Sequence, residues 1–490
     1  MNNPQTLLRS TLLLTVGQVA SYGLAFVRNI ILARTLAKAD FGLAAAFSMT
    51  VSLLEVAGRM SLGQQIVQSR DGDSEAFQAS SHAFQFLLAV TGAVFIVLLG
   101  GPLAHAFKAP NAAWAFMLLA IVPLSRGLEH LSYYRVQREL RYLPAVLCEV
   151  VPQAFATFLA WPLAAYLKSF SVLTWLMTAK ALTTLVMTHI TASEPYRWSW
   201  RSDYVRGMWG FGWPLLLTGL LVFASQQADQ IVVGSFFSLE VLATYALALS
   251  IASIPWFLFG QVASSIMLPV LSRAQHSEEE FQKRYASCVE YAAVCSVGLS
   301  LPLILGGEQI VTVLYGSKYT GTGTLLALLG AASCVRFLRF VPAVASMGRA
   351  DTMNQLYSNL WRGVSLPLCL TAVLLGGPVV LVATSAVAAE LAAGLVSVLR
   401  LKKCQGVPLS TTARAAAYVL CSVGPGTALV HSGAYRWSAW LMSAVVTGAL
   451  FVSLFVAWII FPSFARGIRH VFERKWPEKI TPRPAAGSLL

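Results

Sequence analysis

Charge is what this chain has least of. Of its 490 residues only 11% are Asp, Glu, Lys or Arg, less than half the share of about 25% usual in soluble domains. With 57% hydrophobic residues and a mean hydropathy of +0.66, a chain this long would precipitate from water, so a soluble globular protein is excluded. Cysteine is sparse and scattered singly, with no C-x-x-C, which excludes a disulfide framework or a zinc knuckle. Cys288 and Cys295 stand two turns apart on one helix, too far to bridge. No histidine has a second histidine at i+3 or i+4, so no metal is expected. There is no G-x-x-x-x-G-K-[ST], hence no built-in ATP-binding cassette and no cofactor. Long outer loops are missing too, which leaves no room for a folded catalytic domain outside the membrane and argues against an enzyme.

What fills the chain is apolar sequence. A bilayer core needs about 20 apolar residues per helix, and about fourteen such stretches recur. They run from residues 10–34 to 438–462 and include 112–131, 208–236, 354–376 and 378–400. The expected fold class is therefore an all-α polytopic membrane protein with about fourteen transmembrane helices. The first stretch is too long for a cleavable signal and carries Arg28, so it is expected to be retained as a helix. The net charge of +14 does not point to nucleic acid, because its distribution is that of a membrane protein. Lys and Arg crowd the even-numbered connections, at Arg135, Arg138 and Arg141, at Arg197, Arg201 and Arg206, at Arg273, Lys283 and Arg284, and at Arg400, Lys402 and Lys403. The other side holds little beyond Arg34, Lys38, Lys108, Lys168, Lys318 and Arg436. By the positive-inside rule both termini face the cytoplasm.

Two stretches about two hundred residues apart share a character: Arg28-Asn29 and Asp229-Gln230, each followed by three aliphatic residues, a small residue and a loop. An even number of segments separates them, so two halves of like orientation are expected, related by an axis along the membrane normal. The division reads as a six-helix lobe at 1–206, a second at 207–403, two further helices at 404–462 and a basic amphipathic then disordered tail at 463–490. Pro123, Pro152, Pro162, Pro214, Pro255, Pro269, Pro302, Pro342 and Pro367 interrupt segments; such breaks often mark bends, and most of these are expected to be kinks that merely fit packing.

Five local patterns resemble one family. Gln137-Arg138-Glu139-Leu140-Arg141-Tyr142, the segment from Ala228 to Gly234, Leu268-Pro269-Val270-Leu271-Ser272-Arg273, Leu314-Tyr315-Gly316-Ser317-Lys318-Tyr319 and Met347-Gly348-Arg349-Ala350-Asp351 lie in the order of the polysaccharide transporter family. These are the Wzx-type flippases, in the superfamily that also holds the multidrug exporters. Gln230 departs from the pattern, standing where a basic residue is expected. The resemblance implies transport of undecaprenyl-diphosphate-linked oligosaccharide units from the cytoplasmic to the periplasmic leaflet of a bacterial inner membrane, for exopolysaccharide, capsule or lipopolysaccharide. Implied partners are the lipid-linked oligosaccharide, membrane lipids, and polymerase and chain-length proteins, with no nucleic acid and no ATPase subunit. Two alternatives remain at this level: a cation-coupled multidrug exporter on the same fold, and a membrane-embedded polymerase or ligase.

A diphosphate crosses hydrocarbon only through a wet, cationic cavity, and arginine suits phosphate because its planar fork pairs two oxygens. Candidate anion-binding residues are Arg28, Arg59, Lys180 and Arg362; Asp229, Glu55, Glu149 and Glu390 are candidates for coupling or gating, since intramembrane charges mark function. Each cation has a bland alternative: snorkelling for Arg28, an interface anchor for Arg59, and an ion pair with Glu390 or Glu149 for Lys180 and Arg362. The repeat places Arg28 opposite Asp229, and a pair between them is expected to latch the outer end of the cleft. Arg126, Arg336 and Arg339 read as headgroup anchors at inner helix ends. Topology is directly testable. Single cysteines near Arg138, Arg201, Lys283 and Lys402 should stay unlabelled by an impermeant thiol reagent added outside, whereas cysteines at Lys108 and Lys318 should react. Labelling of the Lys402 loop from outside overturns the orientation.

Overall fold

A computed structural model describes residues 4–59, 62–433 and 437–467; the tail from residue 468 onward lies outside the described residues. Every regular element among them is helical. The chain runs α1 (Pro4–Thr35), α2 (Lys38–Arg59), α3 (Leu62–Gln68), α4 (Glu75–Ala106), α5 (Ala113–Leu118), α6 (Ile121–Gly127), α7 (Ser132–Arg138), α8 (Leu143–Leu167), α9 (Ser171–Ile190) and α10 (Ser202–Phe236). It continues through α11 (Leu239–Ala252), α12 (Ile254–Ser272), α13 (Glu278–Leu305), α14 (Gly307–Tyr315), α15 (Gly323–Gly348), α16 (Met353–Arg362), α17 (Ser365–Leu374), α18 (Val379–Gln405), α19 (Leu409–His431) and α20 (Ala439–Ile460). Serine hydroxyls cap several starts, as where Ser74 Oγ accepts from Phe77 N at 3.0 Å ahead of α4, satisfying a donor the helix cannot.

Twelve helices are long and apolar enough to cross a bilayer, thirteen if the pair bent by 49° between Pro110–Gly127 and Ser132–Arg138 counts as one. The chain is thus a multi-span membrane protein, but the expected fourteen is not reached with unbroken helices. A proline accompanies each interrupted segment, although the 49° bend itself falls between Gly127 and Ser132. Pro123 has no N–H for the Leu119 carbonyl, which instead accepts from Val122 N at 3.0 Å. Pro367 likewise frees the Gly363 carbonyl, which accepts from Leu366 N at 3.1 Å. A three-residue bond tightens the helix there and the segment breaks into α5 and α6, or into α16 and α17.

The two halves of the chain share one apolar seam, at the end where α1 stops and α2 begins. Leu32, Phe41 and Phe47 from the first half pack in one buried cluster with Tyr245, Tyr315, Tyr319 and Leu326 from the second. Phe41 meets Tyr319 edge-on at 6.1 Å. Toward the opposite end the cores separate: Leu62, Ile66, Phe77 and Met208 form one cluster, while α12, α13, α15 and α19 build another around Phe281, Tyr285 and Leu338. Helix α10 bridges them. Its first turns dock on the first half, where Gln65 Nε2 donates to the Met208 carbonyl at 3.1 Å, and its last turns run beside α11 in the second. The result is a cleft closed at one end and parted at the other.

The seam requires close backbone approach. A Cβ added at Gly42, on α2, would stand 1.8 Å from the Leu239 carbonyl oxygen at the start of α11, and a backbone atom cannot step aside. Gly42→Val should therefore prise the seam open. A cysteine at Leu36, which is 2% exposed, should be silent to maleimide in the parent and labelled in the Gly42→Val background; continued silence would show that the seam tolerates the branch.

Candidate functional site

Between the halves lies a cavity of about 350 Å³, built from polar residues on otherwise apolar helices. Helix α1 supplies Arg28 and Asn29, α2 supplies Ser48 and Ser52, α10 supplies Gln226, Gln227, Asp229 and Gln230, and α15, α16 and α18 supply Arg336, Arg362 and Glu390. On the α1 and α12 side it is closed by Tyr22 stacked on Phe257 with centroids 4.7 Å apart. A second space of about 430 Å³ between α2 and α10 shares Ser52, Gln226 and Gln227 with it.

Its dominant feature is a carboxylate held by three guanidiniums. Glu390, 1% exposed, accepts from Arg336 Nε at 2.8 Å and Arg339 Nε at 3.0 Å, and Arg362 Nε lies 2.7 Å from the same Oε1 that Arg336 uses. Arg339 is further engaged through Nη1 with Ser358 Oγ at 2.8 Å and Asn359 Oδ1 at 3.4 Å. Three cations on one anion leave a surplus of positive charge inside the membrane, which the Asp229 carboxylate of the same cavity offsets only in part.

The candidates distribute unevenly around this centre. Arg362 and Glu390 are paired, the alternative foreseen for Arg362, yet both also line the cavity. Arg28 lines it too and has no hydrogen-bond or ion-pair partner among the described residues. Asp229 faces the same space but does not bind Arg28: its Oδ2 accepts from Tyr245 Oη at 2.7 Å and its Oδ1 from Gln230 N at 2.8 Å. The expected Arg28–Asp229 latch is thus absent, because a fully buried tyrosine, 0% exposed, already satisfies the carboxylate. Lys180 pairs with neither Glu149 nor Glu390 among the described residues, although Arg28, Glu55, Arg126 and Glu149 are within its electrostatic reach. Glu149 is exposed. Glu55 is ion-paired with Arg126, and both line a separate cavity of about 370 Å³ between α2, α4 and α6. Arg59 ends α2, and its side chain lies outside the described residues.

Arg336, Arg339 and Arg126 correct the sequence reading, which left them at headgroups. Their charges turn inward onto Glu390 and Glu55 because an intramembrane carboxylate is a stronger partner than a distant interface. The i,i+3 spacing of Arg336 and Arg339 puts both on one face of an apolar helix and was the signal that could have found them.

The closed end has a latch of another kind. Arg34 Nε donates to the Leu314 carbonyl at 2.8 Å, Lys318 Nζ to the Leu36 carbonyl at 2.6 Å and the Arg34 carbonyl at 3.1 Å, and Lys108 Nζ to the Phe236 carbonyl at 2.8 Å. Each cation crosses from one half to carbonyls at or near a helix C-terminus in the other, where the helix dipole is negative. Burial pushes the Lys318 ammonium below the usual lysine range, and its two carbonyls offset that cost.

Residues 31–323 match the family described as polysaccharide biosynthesis protein. The succinoglycan biosynthesis transport protein ExoT of Rhizobium meliloti is 21% identical over 352 residues, 70% of each chain. The teichuronic acid biosynthesis protein TuaB of Bacillus subtilis is 23% identical over 310 residues, 60% of this chain and 61% of its own. Among solved structures, the lipid II flippase MurJ in an inward closed conformation superposes with a TM-score of 0.70 at 13% identity, covering 95% of this chain and all of that one. An inward-facing multidrug resistance MATE transporter gives 0.61 at 14% identity, covering 80% and 99%. The fold is the one these transporters share.

The charge centre makes an unequal prediction for its members. Removing Glu390 strands three cations at a buried site, a loss on the order of 3–5 kcal/mol; removing Arg362 leaves Glu390 two partners. In detergent, Glu390→Ala should unfold well below the parent and Arg362→Ala close to it. Equal melting temperatures for the two variants would mean that the arginines are not held by this carboxylate.

Proposed function

The chain belongs to the polysaccharide biosynthesis protein family, and from that premise we propose that it is a flippase for lipid-linked oligosaccharides. It carries undecaprenyl-diphosphate-linked repeat units from the cytoplasmic to the periplasmic leaflet of the bacterial inner membrane. The observation that carries this reading is the surplus of guanidinium charge around Glu390 in a cavity between two halves of the chain.

The diphosphate is the part of such a carrier that hydrocarbon excludes most strongly, since an isolated ionised group is very costly to bury. Arg28, Arg336 and Arg362 offer it charge-assisted hydrogen bonds in place of lost water. The amides and hydroxyls of α2 and α10 suit the glycan, while the polyprenyl chain stays in lipid. The end sealed by Arg34, Lys108 and Lys318 is then the periplasmic face, and the parted end opens to the cytoplasm, where both termini and most basic loops lie. Transport needs the lobes, 1–206 and 207–403, to rock about the cavity. The cation–carbonyl contacts break as the seam opens, and the proline-induced breaks before α6 and α17 supply places to bend. Polymerase and chain-length proteins are the expected neighbours that receive the product, and the chain itself performs no covalent chemistry. The same fold serves drug exporters, but a cavity rich in guanidinium repels cationic drugs.

Charge-assisted hydrogen bonds contribute about 1.5–3 kcal/mol each, so Arg362→Ala should lower translocation of undecaprenyl-diphosphate sugars in proteoliposomes about tenfold or more, with insertion unchanged. Arg362→Lys should recover only part. A parent protein that moves no lipid-diphosphate sugar in either direction overturns the reading; an alanine variant as active as the parent removes Arg362 from it.

A further inference from the structure

Behind the seal at the closed end, rather than in it, stands a buried carboxylate. Glu308, in the first turn of α14, is 8% exposed and has no ion-pair partner among the described residues. Its oxygens accept from the backbone instead, Oε1 from Gly321 N at 2.6 Å and Oε2 from Gly323 N at 2.7 Å. Gly323 opens α15, so the carboxylate also meets the positive end of that helix. The turn is shaped to admit it. Gly321 has a φ of +88°, which a side chain would resist, and a Cβ at Gly323 would stand 2.9 Å from Glu308 Oε2. Glu308 thereby clamps the turn at 316–323 to the start of α15.

What this turn carries is the seal. Lys318 reaches the Leu36 and Arg34 carbonyls of the first half. Tyr319, buried against Phe41, has the ammonium groups of Lys38 and Lys318 at 5.5 and 5.6 Å from its ring centroid. Both contacts carry a cost. The Lys318 ammonium gives up part of its hydration, and the Tyr319 hydroxyl is buried with no hydrogen-bond partner among the described residues. Contacts burdened in this way hold only where the groups that make them are already in place, because ordering a loose turn would cost further entropy. We propose that Glu308 is the positioning residue of the closed end: by clamping the turn it presents Lys318 and Tyr319 to the first half, and so sets the balance between a closed and an opened seam without itself crossing it. Only one part of the flippase reading is needed here, that the seam opens during transport.

The experiment uses the full-length protein in nanodiscs, where a maleimide reaches both faces, and locates each modification by mass spectrometry so that the native cysteines do not interfere. The reporter is a cysteine at Leu36, whose backbone carbonyl still serves Lys318. Glu308→Ala should speed its labelling by about tenfold or more, the scale of one lost charge-assisted contact. Gly323→Ala leaves the carboxylate but crowds it off its donors, and should do the same. Glu308→Gln keeps the shape and one accepting oxygen, and should fall between parent and alanine; it carries the test if the alanine variant fails to insert. Because the clamp acts through what it presents, adding Glu308→Ala to Lys318→Ala should gain less than about threefold over Lys318→Ala alone. A second reporter, a cysteine at Val289 in the separate core around Phe281, should stay silent in every variant. Labelling of Leu36 at the parent rate in the Glu308 and Gly323 variants, or equal labelling at Val289, which would mean general loosening, overturns the proposal. The expected pattern in a protein that moves no lipid-linked sugar would sustain it and refute the flippase reading instead.

Discussion

A carboxylate buried in the plane of a membrane has to be neutralised, and Glu390 sets most of what surrounds it. An ionised carboxylate in an apolar medium is prohibitive alone, so α15 and α16 are obliged to bring their arginines to α18. Two of these arginines come from one face of α15 and the third from the last turn of α16, immediately before the break that Pro367 imposes. The cluster therefore fixes three helices of the second half relative to one another and at the same time gives the cavity its sign. Stability and chemistry here are one arrangement, because the groups that make the anion tolerable are also those that leave positive charge facing the cleft.

The first half of the chain contributes differently. Its charges are dispersed: Arg28 lines the cavity wall within electrostatic reach of Lys180, and Glu55 is ion-paired with Arg126 beside a neighbouring space. The two halves, alike in sequence character at Arg28-Asn29 and Asp229-Gln230, have become electrostatically unlike. Helix α10 couples them mechanically, since it is held by the first half at Met208 and reaches the cavity at Asp229.

Much of this was legible in the sequence. Apolar length revealed most of the spans, and rarity of charge singled out Arg28, Asp229, Arg362 and Glu390, which the fold gathers around one cavity; which of nine prolines would interrupt a helix was not legible, because most of them sit inside continuous ones. Partnership was legible only in part: pairing of Arg362 with Glu390 was foreseen, and the rest escaped. Sequence order places Arg28 opposite Asp229, but a tyrosine sixteen residues further along the chain took the carboxylate instead. Arg336 and Arg339 looked peripheral because their distance from a helix end says nothing of a carboxylate on a neighbouring helix. The latch at the closed end was invisible for a deeper reason. Its acceptors are backbone carbonyls, present at every residue, so no side-chain pattern can announce them.

That choice of acceptor has a chemical consequence. A salt bridge across the seam would fail wherever acid protonates its carboxylate. Amide oxygens do not take up a proton at any pH a cell survives. A seal whose acceptors are backbone carbonyls thus offers acid no acceptor to protonate.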